Sequence, residues 1–310
     1  MLKHAIHLNK FKNRNLEDDF HEEYQYLNLV DDILKYGNEE KGRNGITKCA
    51  IGSAMHFSLE NNKIPILTTK KTAWKTCLKE LLWFIKGQTD NKILNDQKVH
   101  IWDGNTSRDF LDKNNLPHFR EGREIGPMYG FNWRFWGAEY EKCETDYTGK
   151  GIDQLQNIID CLKDPEKRSS RRMVISAWNT SVIEKGVLPP CHVLFQFNVI
   201  DGNKLSCCLY QRSVDTILGL CFNIASYSFL THLIAKHCGL QAYEFIHYGG
   251  NCHIYENAIE ASKLQINRDP FPFPTISIKQ VRENINDYTI QDFELHDYKH
   301  HDSIKVAMVA

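Results

Sequence analysis

The sequence has no run of about 18 apolar residues, so no membrane-spanning helix is expected. Residues 1–19 are polar and basic and carry no apolar leader segment, so no secretory signal is expected either. Net charge is almost absent, with 38 Lys and Arg against 39 Asp and Glu. That balance excludes a general DNA binder and a polybasic membrane surface, and it leaves RNA binding open. Any anion site must come from a few local arginines. No Cys-x-x-Cys pair occurs among the ten cysteines. The adjacent Cys207 and Cys208 would face opposite ways on a strand, which argues against zinc, and no metal is expected. The scattered cysteines read as core thiols of a reduced protein, cytoplasmic or nuclear. No internal repeat, low-complexity run or linker interrupts the chain.

What is present is a 42% hydrophobic composition, enough for a sizeable core. Phe20, Tyr24, Leu27, Val30, Ile33 and Leu34 recur at helical spacing up to a stop at Gly37. A polar loop, Gly42-Arg43-Asn44-Gly45, precedes a strand over 49–59. Trp74, Leu78, Leu81, Leu82 and Ile85 make the apolar face of a helix over 72–86, ended by Gly87. The stretch 103–147 is loop-rich, and 152–162 reads as an amphipathic helix. Strands are expected at 172–178, 193–200 and 204–211, the last two joined by a hairpin turn at Asp201-Gly202-Asn203. A long apolar helix over 222–238 ends at Gly239. A strand near 241–248, a helix near 255–265 and two short strands complete the pattern. The expected class is α+β: a mixed, mostly antiparallel sheet flanked by helices, in a single domain over 20–310 behind a flexible extension over 1–19.

Chemistry concentrates in Leu188-Pro189-Pro190-Cys191-His192, then Gln211-Arg212-Ser213-Val214-Asp215, then Phe222-Asn223-Ile224-Ala225-Ser226-Tyr227. Two prolines force an extended approach to Cys191, which keeps it out of a helix interior. A nucleophilic thiol needs a fixed direction and nearby positive charge. Arg212 and Ser213 offer charge and a hydroxyl for an anion. Asn223 carries both a donor and an acceptor, suited to a nucleobase edge, although an Asn here also suits a helix cap. His192, adjacent to Cys191 on a strand, points away, so a Cys-His hydrolase dyad is not expected.

These blocks, together with Ile66-Leu67-Thr68-Thr69-Lys70-Lys71, Lys79-Glu80-Leu81-Leu82-Trp83-Phe84, Ile101-Trp102-Asp103-Gly104-Asn105, Gly126-Pro127-Met128-Tyr129-Gly130-Phe131, Arg171-Arg172 and His253-Ile254-Tyr255, resemble the thymidylate synthase family from about Tyr24 to Ala310. The resemblance implies reductive methylation of dUMP to dTMP with 5,10-methylenetetrahydrofolate, releasing dihydrofolate without a metal. It implies a homodimer with shared active sites. The form implied is monofunctional, although the chain also resembles the synthase half of bifunctional protozoan enzymes. Cys191 resembles the nucleophile that adds to carbon-6 of the pyrimidine. Glu80, Tyr129 and Asn105 resemble the proton-handling network around it. Arg43, Arg171, Arg172, Arg212 and Ser213 resemble the phosphate ligands, with the Arg171-Arg172 pair supplied by the partner subunit. Gln211 resembles a dUMP-binding residue, and Asn223 resembles the side chain that hydrogen-bonds the uracil ring, an Asp at the latter position suiting cytosine. His253 and Tyr255 resemble the pair that grips the deoxyribose hydroxyl. Ile101, Trp102, Asp215, Leu218, Gly219, Phe222 and Ala310 resemble folate contacts, and 306–310 resembles a closing tail.

The sequence departs from that pattern at four places. The Arg43 loop is one residue shorter than the usual Asp-Arg-Thr-Gly-Thr-Gly-Thr, Cys221 replaces a proline, Ala258 replaces a common histidine, and Asn251 replaces a common aspartate. Cys221 is expected to loosen the turn before Asn223. Two rivals share these residues: a pyrimidine deoxynucleotide hydroxymethylase, and a catalytically weak paralogue kept for nucleotide or RNA binding. Trp102 and the full tail favour reduction over hydroxylation.

Overall fold

Apolar residues at helical spacing form α1 (Tyr24–Tyr36), which buries Tyr26, Leu27, Val30 and Ile33 and stops at Gly37 as expected. The structure, a computed structural model, describes residues 21–42 and 44–309. The expected extension over 1–19 lies outside the described residues. After α1, β1 (Asn38–Gly42) and β2 (Gly45–Ser58) pair antiparallel, with Gly42 opposite Gly45. Helix α2 (Trp74–Ile85) buries Cys77, Leu78, Leu81 and Leu82 on its inner face. Short helices punctuate the loop-rich region: α3 (Asn91–Asn95), α4 (Arg108–Lys113) and α5 (Gly130–Arg134). The Asp90, Ser107 and Asp153 side chains cap α3, α4 and α6 (Gln154–Lys163) by accepting from Lys92, Phe110 and Gln156 amides.

The second half builds the sheet. Strand β3 (Val174–Ser176) is only three residues long, against an expected 172–178, because it is an edge strand paired on one side alone. β4 (His192–Ile200) and β5 (Lys204–Asp215) are joined by the expected turn, where Asp201 and Gly202 take φ of 51° and 77°. Helix α7 (Gly219–Cys238) starts three residues before the expected Phe222 and ends at left-handed Gly239. β6 (Gln241–Tyr255) runs seven residues past its expected end at 248. The expected helix near 255–265 is correspondingly reduced to α8 (Ile259–Ile266) after one tight turn. Gly249-Gly250 reads locally as a break. In the sheet β6 bonds to β2 and β5 on its two sides, so the ladder carries through the glycines. β7 (Thr275–Ile278) and β8 (Phe293–His296) pair as a separate two-stranded unit.

The large sheet has the order β1-β2-β6-β5-β4-β3. Every neighbouring pair is antiparallel except β5 and β6, so the expected mixed, mostly antiparallel sheet is present. A parallel pair cannot be closed by a tight turn, and α7 is the crossover that joins it. That helix is apolar on nearly all sides and packs on β5, β6 and α2. The opposite sheet face stays open. Ile51, Tyr248 and Tyr210 are 63%, 45% and 42% exposed there, with Tyr210 and Tyr248 side by side on neighbouring strands.

Helix α5 meets α2 backbone to backbone. A Cβ on Gly130 would lie 2.3 Å from the Phe84 carbonyl oxygen, and only glycine permits that approach. Gly130→Ala is expected to destabilise the fold by about 2–4 kcal/mol, because two backbones must separate. Urea denaturation measures this; an unchanged midpoint would mean that the helices part at no cost.

Candidate active site

The two prolines before Cys191 leave their carbonyls without a local partner, and one side chain takes both. Arg212, on β5, donates through Nε to the Pro190 oxygen at 2.9 Å and through Nη2 to the Pro189 oxygen at 2.7 Å. Its backbone amide donates to the Cys191 oxygen at 3.0 Å. The same Nη2 lies 3.9 Å from Cys191 Sγ, and the guanidinium stacks 5.3 Å over Trp178. The Cys191 amide donates to the Tyr129 hydroxyl at 3.0 Å. The thiol is therefore fixed in direction and faces a permanent cation. Burial raises its pKa, while Arg212 and the Tyr129 bond oppose that rise.

Glu80 lies half-buried on α2. Its partner is no lysine of its own helix: Trp102 Nε1 donates to Oε1 at 2.8 Å. Burial lifts the carboxyl to about 7, with the Trp102 bond opposing. Tyr129 packs between Phe84 at 4.8 Å, His192 at 5.3 Å and Trp102 at 6.0 Å. Burial pushes the phenol well above its ordinary range, so it stays neutral. Its backbone takes φ 37° and ψ −105°, a strained conformation for a bulky residue, held by Gly130 against Phe84. Asn105 is buried in the turn just after Trp102, its amide without a partner among the described residues.

A polar chain crosses from β5 into α7. Gln211 Nε2 donates to the Ser213 oxygen at 3.0 Å and to Asn223 Oδ1 at 2.9 Å. Asn223 Nδ2 meets His192 Nε2 at 2.7 Å, and His247 Nε2 meets Gln211 Oε1 at 3.0 Å. Asn223 sits in the second turn of α7, so it is not a helix cap. Asp215 ends β5 at the turn ahead of that helix, its Oδ1 accepting from the Ile217 and Leu218 amides at 3.1 and 3.0 Å. Cys221, in the first turn, turns its thiol toward the Leu218 oxygen at 3.2 Å, a contact that the expected loosening of this turn did not include. Leu218, Gly219 and half-buried Phe222 line that first turn, and Ile101 is half-buried beside Trp102. Cross-strand register sets Asp215 beside His253, whose Nδ1 meets Asn251 Oδ1 at 3.0 Å and whose ring packs on Tyr255 at 5.2 Å.

Arg171 and Arg172 lie far from Arg212 within one chain. Arg172 precedes Val174, which pairs with Gln196, so it lies level with Asn198, while Arg212 bonds the Cys191 carbonyl. Seven residues of strand, roughly 23 Å, separate those levels. Arg171 and Arg172 are exposed, and their guanidinium groups have no partner among the described residues. Arg43 and Ala310 lie outside the described residues. Among the described residues, the group able to hold a metal is Asp90, Cys143 and Glu144, but Arg123 and Arg120 already occupy its carboxylates. His247 was not anticipated. Its signal was its place in the inward phase of β6 with Phe245, since a buried histidine requires a partner.

Two measurements probe this geometry. Arg212→Met is expected to slow iodoacetamide alkylation of Cys191 at pH 8 by about tenfold, by withdrawing the charge that favours thiolate; an unchanged rate would separate the guanidinium from the thiol. Glu80 binds its proton more tightly folded than unfolded. Its contribution therefore lowers stability as pH rises from its ordinary carboxylate range to about 7 and is level above that. Glu80→Gln should remove ~1–2 kcal/mol of that decline, read from urea midpoints between pH 5 and 8; parallel profiles for both proteins would contradict the raised carboxyl.

A family model described as thymidylate synthase matches residues 24–310. The chain is 48% identical to the bifunctional dihydrofolate reductase-thymidylate synthase of Plasmodium berghei over 99% of its length and 52% of that protein. It is 48% identical to the protein of the same description from Zea mays, over 94% of this chain and 55% of that one. The Leishmania major protein of that description is 46% identical over 93% and 55%. The chain thus spans about half the length of these relatives.

Proposed function

The chain belongs to the thymidylate synthase family, and from that premise we propose that it is a methyltransferase converting dUMP to dTMP with 5,10-methylenetetrahydrofolate and releasing dihydrofolate. The observation that carries the reading is the aimed thiol: Cys191 is pinned by Arg212 and Tyr129 beside the Gln211–Asn223 amide chain. A pyrimidine held by Asn223 would present carbon-6 to the thiolate. The new S–C bond would push the ring's π pair onto the carbonyl oxygen and make carbon-5 nucleophilic. The folate would supply both the one-carbon unit and the hydride. Glu80, with its proton held near neutrality, suits proton exchange at the ring. Tyr129 and Asn105 complete its polar surroundings. Trp102 serves Glu80 directly as well as the proposed folate face made with Ile101, Asp215, Leu218, Gly219, Phe222 and Ala310.

His253 and Tyr255 are assigned to the sugar hydroxyl, and Arg212, Ser213 and Arg43 to the phosphate. Arg171 and Arg172 are assigned to the phosphate of a second copy, a reading that their distance along the sheet supports. The open sheet face with Ile51, Tyr210 and Tyr248 suits such a pairing. The proposal thus includes a homodimer with shared sites, residues 20–310 as the catalytic domain and residues 1–19 as an extension.

The activity is read from absorbance growth on dihydrofolate formation with dUMP present. A flat trace with hydroxymethylated nucleotide as product would make the protein a hydroxymethylase, and a flat trace without product a binding paralogue. Sharing is read by refolding Cys191→Ser together with Arg172→Ala. Heterodimers carry one doubly defective and one intact site, so about a quarter of wild-type activity is expected from random pairing. No recovery in verified heterodimers would place both arginines in their own subunit's chemistry or outside it.

A further inference from the structure

We propose that His247 is a positioning residue for pyrimidine selection: together with the Ser213 carbonyl it holds Gln211, and through Gln211 the way the Asn223 amide faces. The proposal rests on the functional reading above and adds a residue to it. Its starting point is one backbone carbonyl. The Ser213 oxygen can only accept, so the Gln211 amide nitrogen must face it. The second hydrogen of that nitrogen goes to Asn223 Oδ1. Gln211 Oε1 is then turned toward His247 Nε2, which must carry a hydrogen. Asn223 Nδ2 is turned toward His192 Nε2, which must be bare, so His192 carries its hydrogen on Nδ1.

This arrangement has no equivalent alternative. Turning Gln211 over would set Oε1 against the Ser213 oxygen, acceptor on acceptor. Moving the His247 hydrogen to Nδ1 would set its lone pair against Oε1. Both rings sit where a neutral state is enforced: His247 is fully buried between Phe245 and the β5 strand, and burial pushes it to about 3 and His192 to about 4. The remaining ring atoms, Nδ1 of each, are buried without a partner, one a donor and the other an acceptor. The bonds already made leave Asn223 with one N–H and one lone pair for a ligand. Uracil offers a carbonyl acceptor beside an N–H, which matches that pair. Cytosine offers an amine beside a bare ring nitrogen, which matches it only if the amide turns over.

Two experiments test this. Nitrogen-15 NMR of histidine-labelled protein at pH 7 should show His247 protonated on Nε2 and His192 on Nδ1; the opposite tautomer at His247, or a charged ring, overturns the relay. Binding of dUMP and dCMP is then compared across variants. His247→Leu should weaken dUMP binding roughly tenfold while leaving dCMP nearly unchanged, because Gln211 Oε1 loses its donor. His247→Gln, which restores an N–H at the same reach, should recover most of the preference. A variant that only melts earlier, with the dUMP-to-dCMP ratio intact, would reduce His247 to packing and overturn the proposal. A wild-type protein that binds neither nucleotide would sink the functional reading, and the recognition role with it, while the tautomers still report on the relay.

Discussion

The parallel pairing of β5 with β6 is the contact on which the candidate site depends. It sets Gln211 beside Gly249, Ser213 beside Asn251 and Asp215 beside His253. Because side chains alternate along a strand, a slip of β5 by one residue would send Gln211 to the open face, away from His247, and dissolve the amide chain. Both strands are central, so the register is held from two sides. The crossover that a parallel pair requires is α7, and its second turn delivers Asn223 to the same place.

The electrostatics of the site centre on one arginine. The 38 Lys and Arg of the chain are balanced by 39 Asp and Glu, and at the site Arg212 serves three acceptors at once: two proline carbonyls and the Cys191 thiol. Burial works in the same direction on the groups around it. It raises Cys191, Glu80 and Tyr129 and lowers His192 and His247, so each is driven toward its neutral form. Arg212 is the fixed positive charge within this group, which makes the site receptive to an anion that arrives with its own charge. The strained backbone of Tyr129 is tolerated because the Gly130 contact with α2 leaves it no room to relax.

Three of the departures from the family pattern are absorbed locally. The Cys221 thiol finds a carbonyl in the first turn of α7, and Asp215 caps the turn that a proline would otherwise stiffen. Asn251 keeps an oxygen on His253. Ala258 is buried at the tight turn after β6, where its small side chain fits.

Much of this was legible in the sequence because it is local. Helical spacing gave α1 and α2, the Asp-Gly turn gave the β4–β5 hairpin, and Pro-Pro before Cys191 gave an extended, aimed thiol. Motif order alone was enough to identify the family. Other features were decided by contacts between segments far apart in the chain. The length of β6 and the shortness of β3 depend on how many neighbours each strand has, which no local window records. Asn223 changed from possible cap to relay member because α7 starts at Gly219, earlier than hydrophobic periodicity suggests. His247 became visible only when β6 carried it inward against Gln211, since a buried imidazole acquires meaning from its partner. The distance between Arg172 and Arg212 came from strand register, a property of the paired sheet and not of either segment.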